Sequence, residues 1–255
     1  CIRDRLYSYE KQTTKNFEII IADDGSDERT KTVIDNFYSE TNLKLVHVWQ
    51  EDNGFQKTKI LNKAIQASNS PYIIFTDGDC LAREDFVEAH LKLKRPNCAL
   101  SGGYFRLTEM MSDQITKEHI EAQKCFDQDW LVRQGQPKSF KLNKLTRSKH
   151  KAQLLNTLTP TKATFDGMNV SCYKADILAV NGFDERMQYG AEDREVGERM
   201  MNKGIKFLQV RYSAICVHLH HDRPYKNDES QALNQNIRRE TKKSKATYTK
   251  FGIIK

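Results

Sequence analysis

No stretch of this 255-residue chain stays apolar for anything near the ~20 residues that a membrane-crossing helix needs, so its sequence offers no such span. Paired cysteine spacings are missing too. The six cysteines (Cys1, Cys80, Cys98, Cys125, Cys172, Cys216) are scattered. Several fall in apolar, strand-like runs, where a reduced thiol behaves as a small hydrophobe. That pattern argues against a disulfide scaffold and for a reducing, cytoplasmic setting. Repeats, low-complexity tracts and recognised nucleic-acid motifs are also lacking, so a nucleic-acid partner is not expected. No signal peptide is visible. Residue 1 is Cys rather than Met, and a native start upstream is expected.

With 38% apolar and 29% charged residues, the chain has the balance of a globular protein long enough for one sizeable domain. Its net charge of +7 is unevenly spread. One basic cluster covers 133–151 and another 238–255. Such clusters attract phosphates on nucleic acid, anionic lipid or sugar nucleotide, or simply form solvated faces.

The first half alternates strand and helix signals. A buried strand is expected over 17–22, a helix from Ser26 or Asp27 to about 38, and a strand over 43–49. A helix over 55–67, a strand from Pro71 toward Asp77, a helix over 83–94 and a strand over 98–105 follow. This β–α–β order implies a mostly parallel sheet flanked by helices. Periodicity weakens over 107–160, read as a helix near 112–128 and then a mobile basic excursion. A strand over 165–173, a helix over 191–203, short strands over 205–210 and 214–217 and a basic helix over 228–251 complete the pattern.

Tyr72-Ile73-Ile74-Phe75-Thr76-Asp77-Gly78-Asp79 is the most informative stretch: a short apolar run that empties into two acids. Strands in α/β proteins present such groups at the carboxyl edge of the sheet, where ligands bind. Two acids one residue apart can share a hard divalent cation that also takes substrate phosphates. The plain alternative is an acidic turn. Asp23-Asp24-Gly25-Ser26 likewise reads as a turn with a helix cap or as a ligand site. Glu192-Asp193 opens a helix, where acids complement the helix dipole or serve as a base. In a strand His218 and His220 share a face and His221 opposes them.

Taken in order, Ala22-Asp23-Asp24-Gly25-Ser26, Glu51-Asp52-Asn53-Gly54-Phe55, Asp77-Gly78-Asp79, Asn181-Gly182-Phe183-Asp184-Glu185, Gly190-Ala191-Glu192-Asp193 and His218-Leu219-His220-His221 resemble glycosyltransferase family two. The second half is most similar to its bacterial branch with a galactosyltransferase-like carboxyl-terminal region, as in chondroitin-polymerase-type enzymes. The resemblance implies a GT-A fold, Rossmann-like and α/β. It implies one domain over 1–255, with a nucleotide-binding half (1–106) and an acceptor-binding half (107–255), and a family strand expected before residue 1. By the same resemblance Asp23 or Asp24 accepts the uracil N–H, Lys59 contacts base or ribose, and Asp77 contacts ribose or sugar. Asp79 binds Mn²⁺ or Mg²⁺ with His218 or His221, Gly167 and Asn169 lie beneath the sugar, and Asp193 is the base with Glu192 orienting the acceptor. The implied partners are a UDP-sugar and a glycan or lipid-linked glycan. The basic carboxyl-terminal helix would rest on the inner membrane face. Two rivals are a basic nucleic-acid- or membrane-binding module and a sugar-nucleotide nucleotidyltransferase.

Overall fold

The computed structural model describes residues 2–221 and 228–255. The chain opens with α1 (Ile2–Glu10), β1 (Glu18–Asp24), α2 (Glu28–Glu40), β2 (Lys44–Gln50), α3 (Lys57–Ala67), β3 (Tyr72–Phe75), β4 (Cys80–Ala82), α4 (Phe86–Leu93), β5 (Cys98–Ser101) and β6 (Gly103–Arg106). The short helices α5 (Glu109–Asp113), α6 (Lys117–Glu121), α7 (Gln128–Arg133) and α8 (Lys149–Leu158) follow. Then come β7 (Val170–Tyr173), α9 (Lys174–Ala179), α10 (Glu192–Asn202), β8 (Lys206–Gln209), β9 (Ile215–His218) and α11 (Asp228–Ser244).

Strand β1 is a β-branched run, and it pairs in parallel with β2 from Glu18↔Lys44 to Asp24↔Gln50. Asp27 caps α2 by accepting from the N–H groups of Arg29 and Thr30, which satisfies donors that a helix start leaves open. Ile34 and Phe37 of α2 then bury against Leu6, Tyr7 and Leu45.

The other strands form two sheets, in the orders β3-β7-β5-β8 and β4-β9-β6. Pairing is mixed rather than mostly parallel. β1/β2, β5/β8 and β6/β9 run parallel, whereas β3/β7, β5/β7 and β4/β9 run antiparallel. Buried strands read as apolar runs whichever way they point, so direction is set by the long return through 107–169 and not by composition.

Two of the places where the chain changes sheets matter for the site. One is 76–79, between β3 and β4. The other is Gly102, which splits the single strand expected over 98–105. A Cβ on Gly102 would stand 2.1 Å from Asn169 Oδ1, so glycine is required by close approach. The strand expected over 165–173 begins only at Val170, because Asn169 N–H turns back to the Asp166 carbonyl.

The excursion over 107–160 is packed, contrary to expectation. Leu107, Met111, Ile120, Cys125, Phe126, Leu131, Leu142 and Leu145 form one buried cluster with Leu81, Phe105, Ile215 and Val217. Helices of five or six residues are too short to print a helical period, and the helix expected near 112–128 is broken into several turns for that reason. Helix α11 stops at Ser244, short of the expected 251, and the chain turns back. Its last residues are held by Asn181, whose amide donates to the Thr249 and Ile254 carbonyls and accepts from the Ile254 N–H.

Beneath that return lies a buried ion pair, Arg199 with Glu195 at 2.7 Å, each side chain 1% exposed. Arg199 also donates to the Val180 and Gly182 carbonyls, and Glu195 accepts from Thr241. Removing one partner strands the other charge. Arg199→Met should therefore cost roughly 3–5 kcal/mol, read as a shift of the urea midpoint. A loss under about 1 kcal/mol would contradict this account.

Candidate active site

Three clusters of chemistry-bearing side chains line the carboxyl ends of β1, β3 and β9. At the first, Asp23 and Asp24 end β1. Buried Asp23 accepts from the Ser26 N–H at 2.9 Å and lies 2.9 Å from His47 Nε2. Asp24 accepts from the Gln50 amide at 2.6 Å and the Gln56 N–H at 2.7 Å. Trp49 stands half-exposed beside them, its indole N–H donating to the Ser26 carbonyl.

The second cluster is built on α3. Its inner face is fastened to the 181–187 loop. Asn62 donates to the Phe183 carbonyl and accepts from the Phe183 N–H, and Thr58 donates to the Met187 carbonyl. This bracket fixes the helix so that Lys57, in its first turn, reaches Asp77 at 2.8 Å and lies 3.9 Å from Glu192. Burial disfavours the Lys57 ammonium, but Asp77, Glu192 and Asp193 outweigh it and raise its pKa. Burial pushes the Glu192 carboxyl up, against the pull of Lys57. Asp193 accepts from the Gly167 N–H at 3.2 Å and from the Arg194 N–H at 2.7 Å. A Cβ on Gly167 would stand 3.7 Å from Asp193 Cβ and 3.9 Å from Lys57 Nζ, so Gly167 forms the floor between them. Asp166, next to it, has its carboxyl pKa raised by burial and by Asp193.

The third cluster follows from strand register. β4 pairs antiparallel with β9, placing Cys80 opposite His218. The Leu219 N–H donates to the Asp79 carbonyl at 3.0 Å, which extends the ladder by one step. Asp79 Oδ2 is thereby brought 3.3 Å from His218 Nε2 and 2.7 Å from His221 Nε2. The two imidazoles stack with centroids 5.4 Å apart. Asp79, His218 and His221 each offer an atom within 4.8 Å of the others, the geometry of a small-cation site. Burial lowers the His218 pKa despite Asp79, which favours the neutral, ligating ring. His218 Nδ1 is buried without a hydrogen-bond partner among the described residues.

The structure thus gathers Asp77, Glu192, Asp193 and Gly167 into one cluster and Asp79, His218 and His221 into another. It does not bring Lys59 or Asn169 to either. Lys59 lies on the exposed face of α3, with Nζ 3.4 Å from Gln56 Oε1. Asn169 is buried. It donates to the Gly103 and Ala214 carbonyls at 2.6 and 3.1 Å, and its oxygen lies 2.9 Å from His90 Nε2. That amide joins the two sheets, and at 1% exposure it lies out of reach of a sugar hydroxyl. From sequence Lys57 reads either as a base or ribose contact beside Lys59 or as part of an exposed helix face, and Asp166 is not singled out. The available signal for Lys57 was its place in the first turn of a helix whose inward face is Thr58, Asn62 and Ile65.

Comparison with known proteins follows the same lines. The profile described as glycosyl transferase family 2 matches residues 1–165. The chain belongs to glycosyl transferase family 2. The profile described as N-terminal domain of galactosyltransferase matches residues 147–222 and so takes in His218 and His221. Chondroitin synthase from Escherichia coli is 26% identical over 93% of this chain and 35% of its own length. Among solved structures, GalNAc-T7 with UDP, GalNAc and Mn²⁺ superposes with a TM-score of 0.62, at 13% identity over 92% of this chain and 44% of that one. A mannosyltransferase from Pyrobaculum calidifontis with GDP-Man and Mn²⁺ gives 0.58, at 18% identity over 88% and 54%. These superpositions establish the GT-A fold for this family 2 chain. The chain spans about a third to a half of each of these proteins. No helix among the described residues is long and apolar enough to cross a membrane. On the basic face of α11, Arg238 and Lys242 are engaged by Glu198 at 2.5 and 3.3 Å.

Proposed function

We propose that this chain is the catalytic unit of a metal-dependent, inverting glycosyltransferase. It moves a hexose or N-acetylhexosamine from a UDP-sugar to a hydroxyl of a growing surface glycan. The observation that carries this reading is the Asp79–His218–His221 cluster, in which Asp79 follows two residues after Asp77, whose lysine partner also faces Glu192.

One oxygen and two imidazole nitrogens fit Mn²⁺ better than Mg²⁺, which prefers oxygen. Asp79, His218 and His221 would hold the ion. When bound it supplies Lewis-acid stabilisation of the departing diphosphate. Asp23 or Asp24 at the end of β1 selects the base, exchanging a present amide or imidazole contact for the uracil N–H. A site that must pair a ring donor rejects bases without one. Lys57 fixes the Asp77 carboxylate toward the ribose or sugar. The acceptor hydroxyl oxygen attacks the anomeric carbon, the bond to UDP oxygen breaks with its electron pair leaving on UDP, and Asp193 takes the hydroxyl proton. Glu192, steadied by the Gly190 N–H at 3.1 Å, orients the acceptor. Asp193 is held at the Gly167 floor by backbone donors and forms no ion pair at contact distance among the described residues, which leaves its carboxylate able to take the proton.

A panel of nucleotide sugars, scored for slow hydrolysis with Mn²⁺, tests the reading. One UDP-sugar should be hydrolysed above the others, and excess EDTA should remove that activity. Equal turnover in EDTA, or pyrophosphate release from a nucleoside triphosphate in place of UDP release, would overturn it.

A further inference from the structure

The three-stranded sheet brings a cation to the edge that carries the Asp79 cluster. Its order is β4-β9-β6, with β6 and β9 parallel, so both of these strands end on the same side. Their last register pair is Arg106↔His218, and the Leu107 N–H donates to the His218 carbonyl at 3.0 Å. β4 begins at that edge from the opposite direction, with Cys80 across from His218. Asp79 at the start of β4, His218 and Arg106 therefore stand in a row, with adjacent backbones about 4.8 Å apart. Alternation decides the face that Arg106 shares. Phe105 and Val217 pack into the large buried cluster of the 107–160 excursion. Tyr104 and Cys216 turn the other way, and the Tyr104 ring lies 6.2 Å from the His218 ring. Arg106, one residue past Phe105, falls on the face of Tyr104 and His218.

Arg106 is exposed, and among the described residues its guanidinium has no hydrogen-bond or ion-pair partner. It acts on His218 as a neighbouring positive charge. Asp79 is shared by the two imidazoles at 3.3 and 2.7 Å, and Lys57 is answered by Asp77 at 2.8 Å. A cation set beside a cation site opposes ion binding unless an anion arrives between them. We propose that Arg106, across His218 from Asp79, is a clamp for the terminal phosphate of the departing UDP. This rests on the transferase reading above and deepens it. As the bond from the anomeric carbon to the phosphate oxygen breaks, its electron pair stays on that oxygen and the terminal phosphate gains negative charge. Asp79 already offsets part of the charge of any divalent ion held here, so the arginine supplies the balance where charge develops. A guanidinium meets phosphate with two parallel N–H···O bonds, which an ammonium cannot reproduce.

UDP and UMP differ by that phosphate, and calorimetric titration of each with Mn²⁺ present tests the assignment. Arg106→Gln should weaken UDP binding by about 10–100-fold, the loss expected for hydrogen bonds to a charged group, and leave UMP within about threefold. Arg106→Lys should recover only part of that loss. The thermal midpoint should not move in either variant, because the side chain is exposed. Mn²⁺ titrated without nucleotide should bind Arg106→Gln at least as well as wild type, since a repelling charge is gone. Weaker Mn²⁺ binding there would mean that UDP is lost through the ion, and it overturns the proposal. Equal weakening of UDP and UMP, or none, overturns it too, as does a wild-type protein that takes UDP no more tightly than UMP. These titrations need no turnover. Failure of every nucleotide sugar to react would therefore refute the transferase reading, while the clamp is decided by the two affinities.

Discussion

Asp79→Ala abolishes Mn²⁺-dependent transfer, with kcat/KM falling by about 10³ or more. Loss of a single electrostatic donor in an active site already costs ~10²–10³, and this substitution removes the only oxygen of the three-atom cluster. It also leaves His218 and His221 with no carboxylate between them. The fold should survive, because the bond tying this residue to β9 runs from the Leu219 N–H to the backbone carbonyl, which alanine keeps. Calorimetric titration with Mn²⁺ separates the causes. Wild-type protein should bind the ion with UDP present, and Asp79→Ala should not, at an unchanged thermal midpoint. Wild-type Mn²⁺ affinity in this variant would remove the metal assignment and the reading built on it.

The parts of this site legible in the sequence are those that strand ends dictate. The apolar run Tyr72–Phe75 shows where β3 stops, and carboxylates just past a strand end project from the sheet edge wherever the strand lies. Asp79 and His218 meet for a reason that no local pattern carries, the antiparallel register of β4 on β9. Their association was expected only from the resemblance of the ordered motifs. Lys57 and Lys59 show the limit. Both sit in one helical turn, and which of them turns inward depends on the bracket from Asn62 to Phe183, 121 residues away. Asn169 shows the same limit in reverse. Polar and two residues past Gly167, it has the look of a ligand contact. The crossing of two sheets at Gly102 claims its amide instead. The packed 107–160 segment escaped because its apolar residues are spread over turns too brief for periodicity, although together they close one core cluster.

Asp193→Asn is the sharper test of mechanism, because it changes almost no geometry. The amide keeps an oxygen to accept from the Gly167 or Arg194 N–H, and the neighbouring Glu192 retains its own contacts with Gly190 and Lys57. What disappears is the ability to take a proton. General-base catalysis is worth roughly 10²–10⁴, so kcat for transfer should fall by about that factor while Mn²⁺ and UDP affinities hold. Two neighbours compete for the role. Glu192 faces Lys57, which ties up its charge, so Glu192→Gln should act mainly on acceptor KM. Asp166 lies beside Asp193, with its carboxyl pKa raised by burial, so that it accepts a proton more readily than an ordinary aspartate. Asp166→Asn should therefore be compared in the same assay. If Asp193→Asn kept wild-type kcat while Asp166→Asn lost it, the base assignment would pass to Asp166.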